Sequence, residues 1–253
     1  MWRFIPLLQA SGSIQMKIDE WLLEQHRQGK HPPTLRFYTW EPAAISLGYH
    51  QHRWPESWQT ITWQGKFLEL VKRPSGGRAV LHQGDLTYAV IASELGKNRT
   101  EAYQIICQFL IEGWHSLGLD LHYGVAGRGY IHNPNCFGTA TGADLVTNRG
   151  SKFIGSAQLR RGQAILQHGS MRLQPDPELF YQVFEEINVT PPLGQLFYPS
   201  VADMIKIENA GINSLIDIVI EALSAAAARC FDIELIVEPL SEQEWQSILN
   251  FPV

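Results

Sequence analysis

Apolar and polar positions along the chain repeat with two different periods. Over SGSIQMKIDEWLLEQHRQGK, Ile14, Ile18, Trp21, Leu22 and Gln25 fall on one helical stripe, with Ser11 or Ser13 placed to cap it. A second helix is predicted over NRTEAYQIICQFLIEGWHSLGL, with Asn98 or Thr100 near its cap and Ile105, Phe109 and Trp114 on or near its apolar face. Between these helices the pattern is that of strands. Thr34–Trp40 and Ala43–Leu47 read as two, split by Glu41-Pro42, and KFLELVKR as a third that ends at Pro74. GRAVLH and DLTYAVIA form two more around Gln83-Gly84. Ala143–Thr147, Lys152–Leu159 and Ala164–Leu173 are three further strands, with hairpin turns at NRGS and RRGQ. DPELFYQVFEEI, SVADMIKI, INSLIDIVIEALSAAAARCF and SEQEWQSILN read as helices. This order predicts an α+β fold: a mixed, largely antiparallel β-sheet with flanking helices, not a series of βαβ units. One domain is expected over 1–253, with its core at about 14–173 and a helical C-terminal part at about 175–253.

Composition narrows the class. The chain has 253 residues, 45% hydrophobic and 18% charged, which suits a globular protein with a full core. Three cysteines without CxxC spacing speak against a disulfide scaffold and against structural zinc. MWRFIPLLQASG lacks the length of a signal-peptide core, and no stretch approaches a membrane span, so a cytoplasmic protein with no membrane partner is expected. Net charge is −5, yet Lys72 to Arg172 holds 11 Lys/Arg against 6 Asp/Glu. A basic middle in an acidic chain fits a working face that meets something anionic; it also fits a chance distribution. The sequence has no aromatic-interleaved basic run of the kind that binds nucleic acid.

Candidate chemistry gathers in a few places. RPSGGRAVLHQGDLTY joins two strands through Gly76-Gly77, whose backbone can turn tightly and leaves no side chain between its N–H groups and a ligand. Arg73, Ser75, Arg78 and His82 surround that turn. The stretch fits neither a nucleotide P-loop nor a dinucleotide fingerprint. Lys152 opens a strand that continues through Gly155, Ser156 and Ala157. Small residues in mid-strand mark a close approach, either of a ligand such as a long acyl chain or pantetheine arm, or of a neighbouring strand at a bulge. His168-Gly169 ends AILQHGS. Cys107 and Cys230 lie in helical apolar patterns and are expected in the core. Cys136 follows Asn-Pro-Asn where a loop enters a strand, and the spacing leaves a small buried hydrophobe and a nucleophile both open. A neighbouring ammonium would favour its thiolate. No HExxH, GxSxG or metal-ligand cluster is present, so no metal is expected.

Taken in order, MKIDEWLL, PTLRFYTWEPAAISLGYHQ, VKRPSGGRAVLHQGDLTY and GSKFIGSAQLRRGQAILQHGSM resemble the lipoate–protein ligase and octanoyltransferase family, within the biotin/lipoate protein ligase superfamily. The resemblance runs from about Met16 to Leu173. It implies a single catalytic domain that attaches an octanoyl or lipoyl group to a lysine of a lipoyl domain. Lys152 matches the lysine that the family shares, and Gly76-Gly77 its Gly-Gly turn. Arg78 after the glycine pair and Cys136-Phe137 upstream of Lys152 are similar to the cysteine-dependent octanoyltransferases, which makes Cys136 the implied nucleophile. Asp144 stands where a glutamate is common. The implied donor is octanoyl acyl carrier protein. The implied acceptor is a lipoyl domain, of the glycine cleavage H protein or of a 2-oxoacid dehydrogenase E2. No cofactor is then required; ATP and Mg2+ enter only under the alternative of a lipoate–protein ligase. Further alternatives are transfer between two lipoyl domains and an acyl binder without turnover. Arg73, Ser75, Gly76, Gly77, Arg78, His82, Gly155, Ser156, Ala157, His168 and Gly169 are the expected substrate contacts, with His82 and His168 as scaffolding rather than catalysts.

Overall fold

The computed structural model describes residues 1–124, 144–184 and 212–252. Its main element is an eight-stranded sheet built from β1 (Trp2–Ala10), β2 (Thr34–Trp40), β8 (Asp85–Ser93), β9 (Leu121–Tyr123), β10 (Leu145–Thr147), β11 (Lys152–Arg161), β12 (Ala164–Arg172) and β13 (Leu235–Val237). The spatial order is β13-β1-β2-β8-β12-β11-β10-β9. Strand β1 runs parallel to both β13 and β2. Every other neighbouring pair in this sheet is antiparallel. A smaller sheet, β6-β3-β7, is formed by β3 (Ala44–Leu47), β6 (Glu69–Lys72) and β7 (Val80–His82). A two-stranded ribbon joins β4 (Thr62–Trp63) to β5 (Lys66–Phe67).

Helices cover both faces of the large sheet. α1 (Gly12–Arg27) begins at Ser11, whose side chain accepts from the Ile14 N–H. It packs Ile18, Trp21, Leu22 and Leu23 against Tyr38, Ala89, Ile91 and Leu166. The opposite face carries α2 (Arg99–Ser116) and α4 (Ile212–Cys230), which bury Phe109, Trp114, Val219 and Leu223 with Phe37, Tyr88 and Val90. Asn98 caps α2. The short α3 (Pro177–Phe184) closes a third core over the small sheet through Leu179, Phe180, Val183 and Phe184. α5 (Glu242–Leu249) rests on α1. Its first turn is clasped by the buried Arg3 guanidinium, 2.6 Å from Glu244. Among the described residues no helix is long and apolar enough to cross a membrane.

The mixed, largely antiparallel sheet with flanking helices agrees with the pattern of the sequence, with several local differences. β1, β9 and β13 are strands that short or irregular apolar stretches did not announce. The expected single strand KFLELVKR is broken into β5 and β6, since Leu68 turns inward to join the core below the small sheet. β11 extends two residues beyond Leu159, because its pairing with β12 continues to Arg161. The helix expected at SVADMIKI lies outside the described residues.

Candidate active site

A cleft of about 290 Å3 opens where the small sheet meets β11 and β12. One wall is the turn after β6. There Arg73 is buried, and its guanidinium donates to the Ser46 carbonyl at 2.8 Å, the Ser46 hydroxyl at 3.1 Å, and the carbonyls of Gly76 at 2.9 Å and Arg78 at 2.7 Å. Charge-assisted bonds to three carbonyls draw the turn around the cation and leave Gly76 and Gly77 as its outer surface on the cleft. Gly77 has φ +97°, which favours glycine. A Cβ at Gly48 would stand 1.9 Å from the Gly77 carbonyl oxygen, so the backbones of β3's end and the turn are in contact.

Of the expected contacts, Ser75 and Arg78 are not among the residues that line this cleft. Ser75 is buried behind it, with its hydroxyl 2.5 Å from His168 Nε2. Arg78 offers its carbonyl to Arg73. Arg73 itself borders the cleft, but with its donors turned onto the backbone.

The second wall is β11. Gly155, Ser156 and Ala157 line it, opposite Ser170, Gly169 and His168 in the β12 register. A Cβ at Gly169 would come within 2.7 Å of the Tyr88 ring and 2.5 Å of Ser156 Oγ. The missing side chain lets the Tyr88 hydroxyl donate to Ser156 at 2.8 Å. Lys152 opens this strand. Its Nζ lies 2.8 Å from Asp144 Oδ1; both side chains are buried and both residues line the cleft. Cys136 lies outside the described residues.

Two imidazoles border the cleft. His82 Nδ1 meets Asp85 at 2.8 Å and its Nε2 meets Ser46 Oγ at 2.9 Å, while the Trp40 ring stacks on it at 3.8 Å. Burial lowers the His82 pKa against the opposing pull of Asp85. A carboxylate can only accept, so Nδ1 of the neutral ring carries the proton and Nε2 accepts from the serine. His168 Nδ1 meets Asp19 at 2.8 Å. Asp19 also accepts from Arg36 at 3.0 Å and from the Tyr38 hydroxyl at 2.9 Å. The two described thiols are not poised for chemistry. Burial pushes Cys107 up to about 12. Cys230 is half-buried rather than fully in the core, and burial together with Glu112 raises it to about 12.

Sequence reasoning missed Asp19, Tyr38, Trp40, Ser46, Asp85 and Tyr103. Asp19 carried a readable signal: it stands inside the run Ile18-Asp19-Glu20-Trp21-Leu22-Leu23, and a charge in so apolar a run needs a buried partner. Arg36, between Leu35 and Phe37, is that partner. Tyr103 reaches the cleft from α2, and burial holds its phenol well above the usual range.

The family described as the lipoyl protein ligase A/B catalytic domain matches residues 11–224. Octanoyltransferase LipM of Anoxybacillus flavithermus is 41% identical over 200 residues, 74% of this chain and 71% of that protein. LipM of Brevibacillus brevis is 35% identical over 257 aligned residues, 96% of this chain and 91% of the relative. Among solved structures, lipoate-protein ligase A bound with ATP superposes with a TM-score of 0.75 at 22% identity, covering 98% of this chain and 92% of that one. A bi-partite lipoate protein ligase from Thermoplasma acidophilum superposes at 0.74 and 20% identity, covering 98% and 91%. At these identities the superpositions speak for the fold alone.

Proposed function

The chain belongs to the lipoyl protein ligase A/B catalytic-domain family, and we propose that it is an octanoyltransferase that carries octanoate as a thioester on Cys136 before passing it to a lysine of a lipoyl domain. The acyltransferase reading rests on relatives of 33–41% identity that are named octanoyltransferases. The observation that carries the site is the buried Lys152–Asp144 pair, set in a cleft whose adjoining wall is Gly155–Ala157.

The donor in this scheme is octanoyl acyl carrier protein. The Cys136 sulfur attacks the thioester carbonyl, the bond to the pantetheine sulfur breaks, and that thiolate leaves and takes up a proton. One thioester replaces another, so the step is nearly balanced. The neutral amine of the acceptor lysine then attacks the acyl-enzyme, and the carbon–sulfur bond to Cys136 breaks. The amine gives up a proton, which passes by way of Lys152 to the departing Cys136 thiolate or to water, and the amide that forms is more stable than the thioester it replaces. A cation beside a thiol favours the thiolate, and an amine held at the reaction centre can relay protons. Asp144 fixes where that nitrogen stands. N–H groups of the Gly76–Gly77 turn are suited to receive the charge of the tetrahedral oxygen. The donor arrives activated, so the scheme needs no cofactor. The acceptors are lipoyl domains, of the glycine cleavage H protein or a 2-oxoacid dehydrogenase E2, and the reaction is assigned to the cytoplasm.

The test is intact mass spectrometry after mixing the protein with octanoyl carrier protein and no nucleotide. A gain of one octanoyl unit that maps to Cys136, and that is lost in Cys136→Ala, is expected. Pyrophosphate release that requires free lipoate and ATP and persists in Cys136→Ala would overturn the scheme in favour of a ligase. Lys152→Ala should move the pH profile of iodoacetamide labelling at Cys136 to higher pH; an unchanged profile contradicts the proposed pair.

A further inference from the structure

The two ends of the cleft differ in chemistry. Met16, Tyr38, Trp40 and Val80 border one part and offer mostly apolar surface. At the other end stand Arg99, Tyr103 and Gln158. Along β11, side chains at alternate positions share a face, so Arg160 continues the row of Ser156 and Gln158. Its Nη2 reaches the Asn98 carbonyl at 3.3 Å, which places it beside the first turn of α2 and hence beside Arg99. Lys97, exposed, precedes the Asn98 cap.

These three cations differ from others among the described residues. Arg36, Lys152 and Arg161 each face a carboxylate, at 3.0, 2.8 and 2.8 Å. Among the described residues no carboxylate is paired with the side chains of Lys97, Arg99 or Arg160. The acid beside them, Glu101, instead accepts from the Lys97 backbone N–H at 2.7 Å. Arg160 Nε is buried without a hydrogen-bond partner among the described residues. A buried donor left unpaired costs stability, and a cluster of unneutralised cations at the end of a cleft favours an anion. The N-terminal end of α2 adds partial positive charge in the same place.

We propose that Arg99 and Arg160, with Lys97 beside them, bind the phosphodiester of a phosphopantetheine arm whose thioester lies at Lys152. The proposal rests on the acyl-thioester reading of the cleft and names the part of the donor that this end recognises. An octanoyl chain carries no charge and belongs with the apolar part. The thiol arm carries its phosphate at the end remote from sulfur. Lys152, Ser156, Gln158 and Arg99 line one cleft, so a ligand that follows β11 away from Lys152 delivers its far end to these arginines.

The measurement is calorimetric binding of 4′-phosphopantetheine and of pantetheine to the full chain. The wild type should prefer the phosphorylated ligand by about ten-fold or more, the scale of one or two hydrogen bonds to a charged group. The double variant R99Q/R160Q should bind both ligands alike. Equal binding by the wild type overturns the proposal, as does a preference that survives in R99Q/R160Q or one removed instead by K72Q, at the exposed end of β6. No covalent step is involved, so the result is independent of whether Cys136 carries the acyl group. The source of the arm is read from acyl-enzyme formation with octanoyl carrier protein and with octanoyl coenzyme A, which share the 4′-phosphate of the arm, as a phosphodiester in the first and as part of a diphosphate in the second. R99Q/R160Q should slow both; slowing with the carrier protein alone would mean that the arginines meet its protein surface, and would overturn the assignment.

Discussion

Two Asp–His–Ser chains border the cleft, and they neutralise a buried carboxylate by different means. In the first, Asp19, His168 and Ser75 follow one another at 2.8 and 2.5 Å. In the second, Asp85, His82 and Ser46 do so at 2.8 and 2.9 Å. Asp19 is matched by a cation, since Arg36 and Asp19 are both wholly buried and 3.0 Å apart. Among the described residues Asp85 is bonded by no Lys or Arg; it receives the hydroxyls of Thr87 at 3.2 Å and Ser170 at 2.6 Å besides the imidazole. The cation of the second chain, Arg73, sits at its far end on Ser46. Both serines are 1% exposed. Each chain therefore acts as a fastening: the first ties α1 to β12 and to the Ser-Gly-Gly turn, the second ties the small sheet to β8 and β12. The serine–imidazole–carboxylate order alone does not make a nucleophile: Ser75 is not among the residues lining the cleft, and the Ser46 hydroxyl, which is, is held between Arg73 and His82.

The contrast is open to test, beginning with the carboxylates. Asp19→Ala strands the Arg36 guanidinium in the core and should cost about 3–5 kcal/mol, the range for breaking one side of a buried ion pair. Asp85→Ala leaves only neutral donors unsatisfied and should cost about 1–3 kcal/mol. Equal losses in urea unfolding would remove the distinction. Ser75→Ala deletes one bond and should cost about 1 kcal/mol, with a coupling to His168→Ala of about 0.5–3 kcal/mol in a double-mutant cycle. The smallest effect is that of pH. Burial lowers His82 from its ordinary 6.5, with Asp85 opposing and Arg73 and His168 adding to the shift. A folded-state value below the unfolded one means that this contribution is complete above about pH 6.5 and is lost as pH falls below it. Denaturation midpoints followed from pH 7 to pH 5 should decline less in His82→Gln than in the wild type.

The sequence carried the strands with clear alternation and the helices with clear stripes, and it brought Lys152, Gly76-Gly77 and Gly155–Ala157 forward before any fold was in view. What escaped it depends on distant parts of the chain. β1 contains Pro6, and its register to β2 shifts between Ile5 and Leu8, so alternation is interrupted where the strand would otherwise declare itself. β13 has three residues and exists by pairing with β1 at the other end of the chain. The same holds for the cleft. Asp85 and Thr87 are ordinary polar residues in a strand until β7 and β12 bring His82 and Ser170 to them. Arg73 borders the cleft and also holds the carbonyls of its own turn, and a basic residue next to a glycine pair does not announce the second task in the sequence.

The contact of Gly48 with Gly77 sets how the cleft can deform. At 1.9 Å from a carbonyl oxygen there is no room even for a methyl group, so the lip of the opening is pressed onto the end of β3. Arg73 grips β3 from inside as well, through Ser46. Widening the mouth therefore displaces the lip, the three-stranded sheet and the α3 side chains packed below it as one plate, and an arriving acyl arm meets a slot already shaped for it.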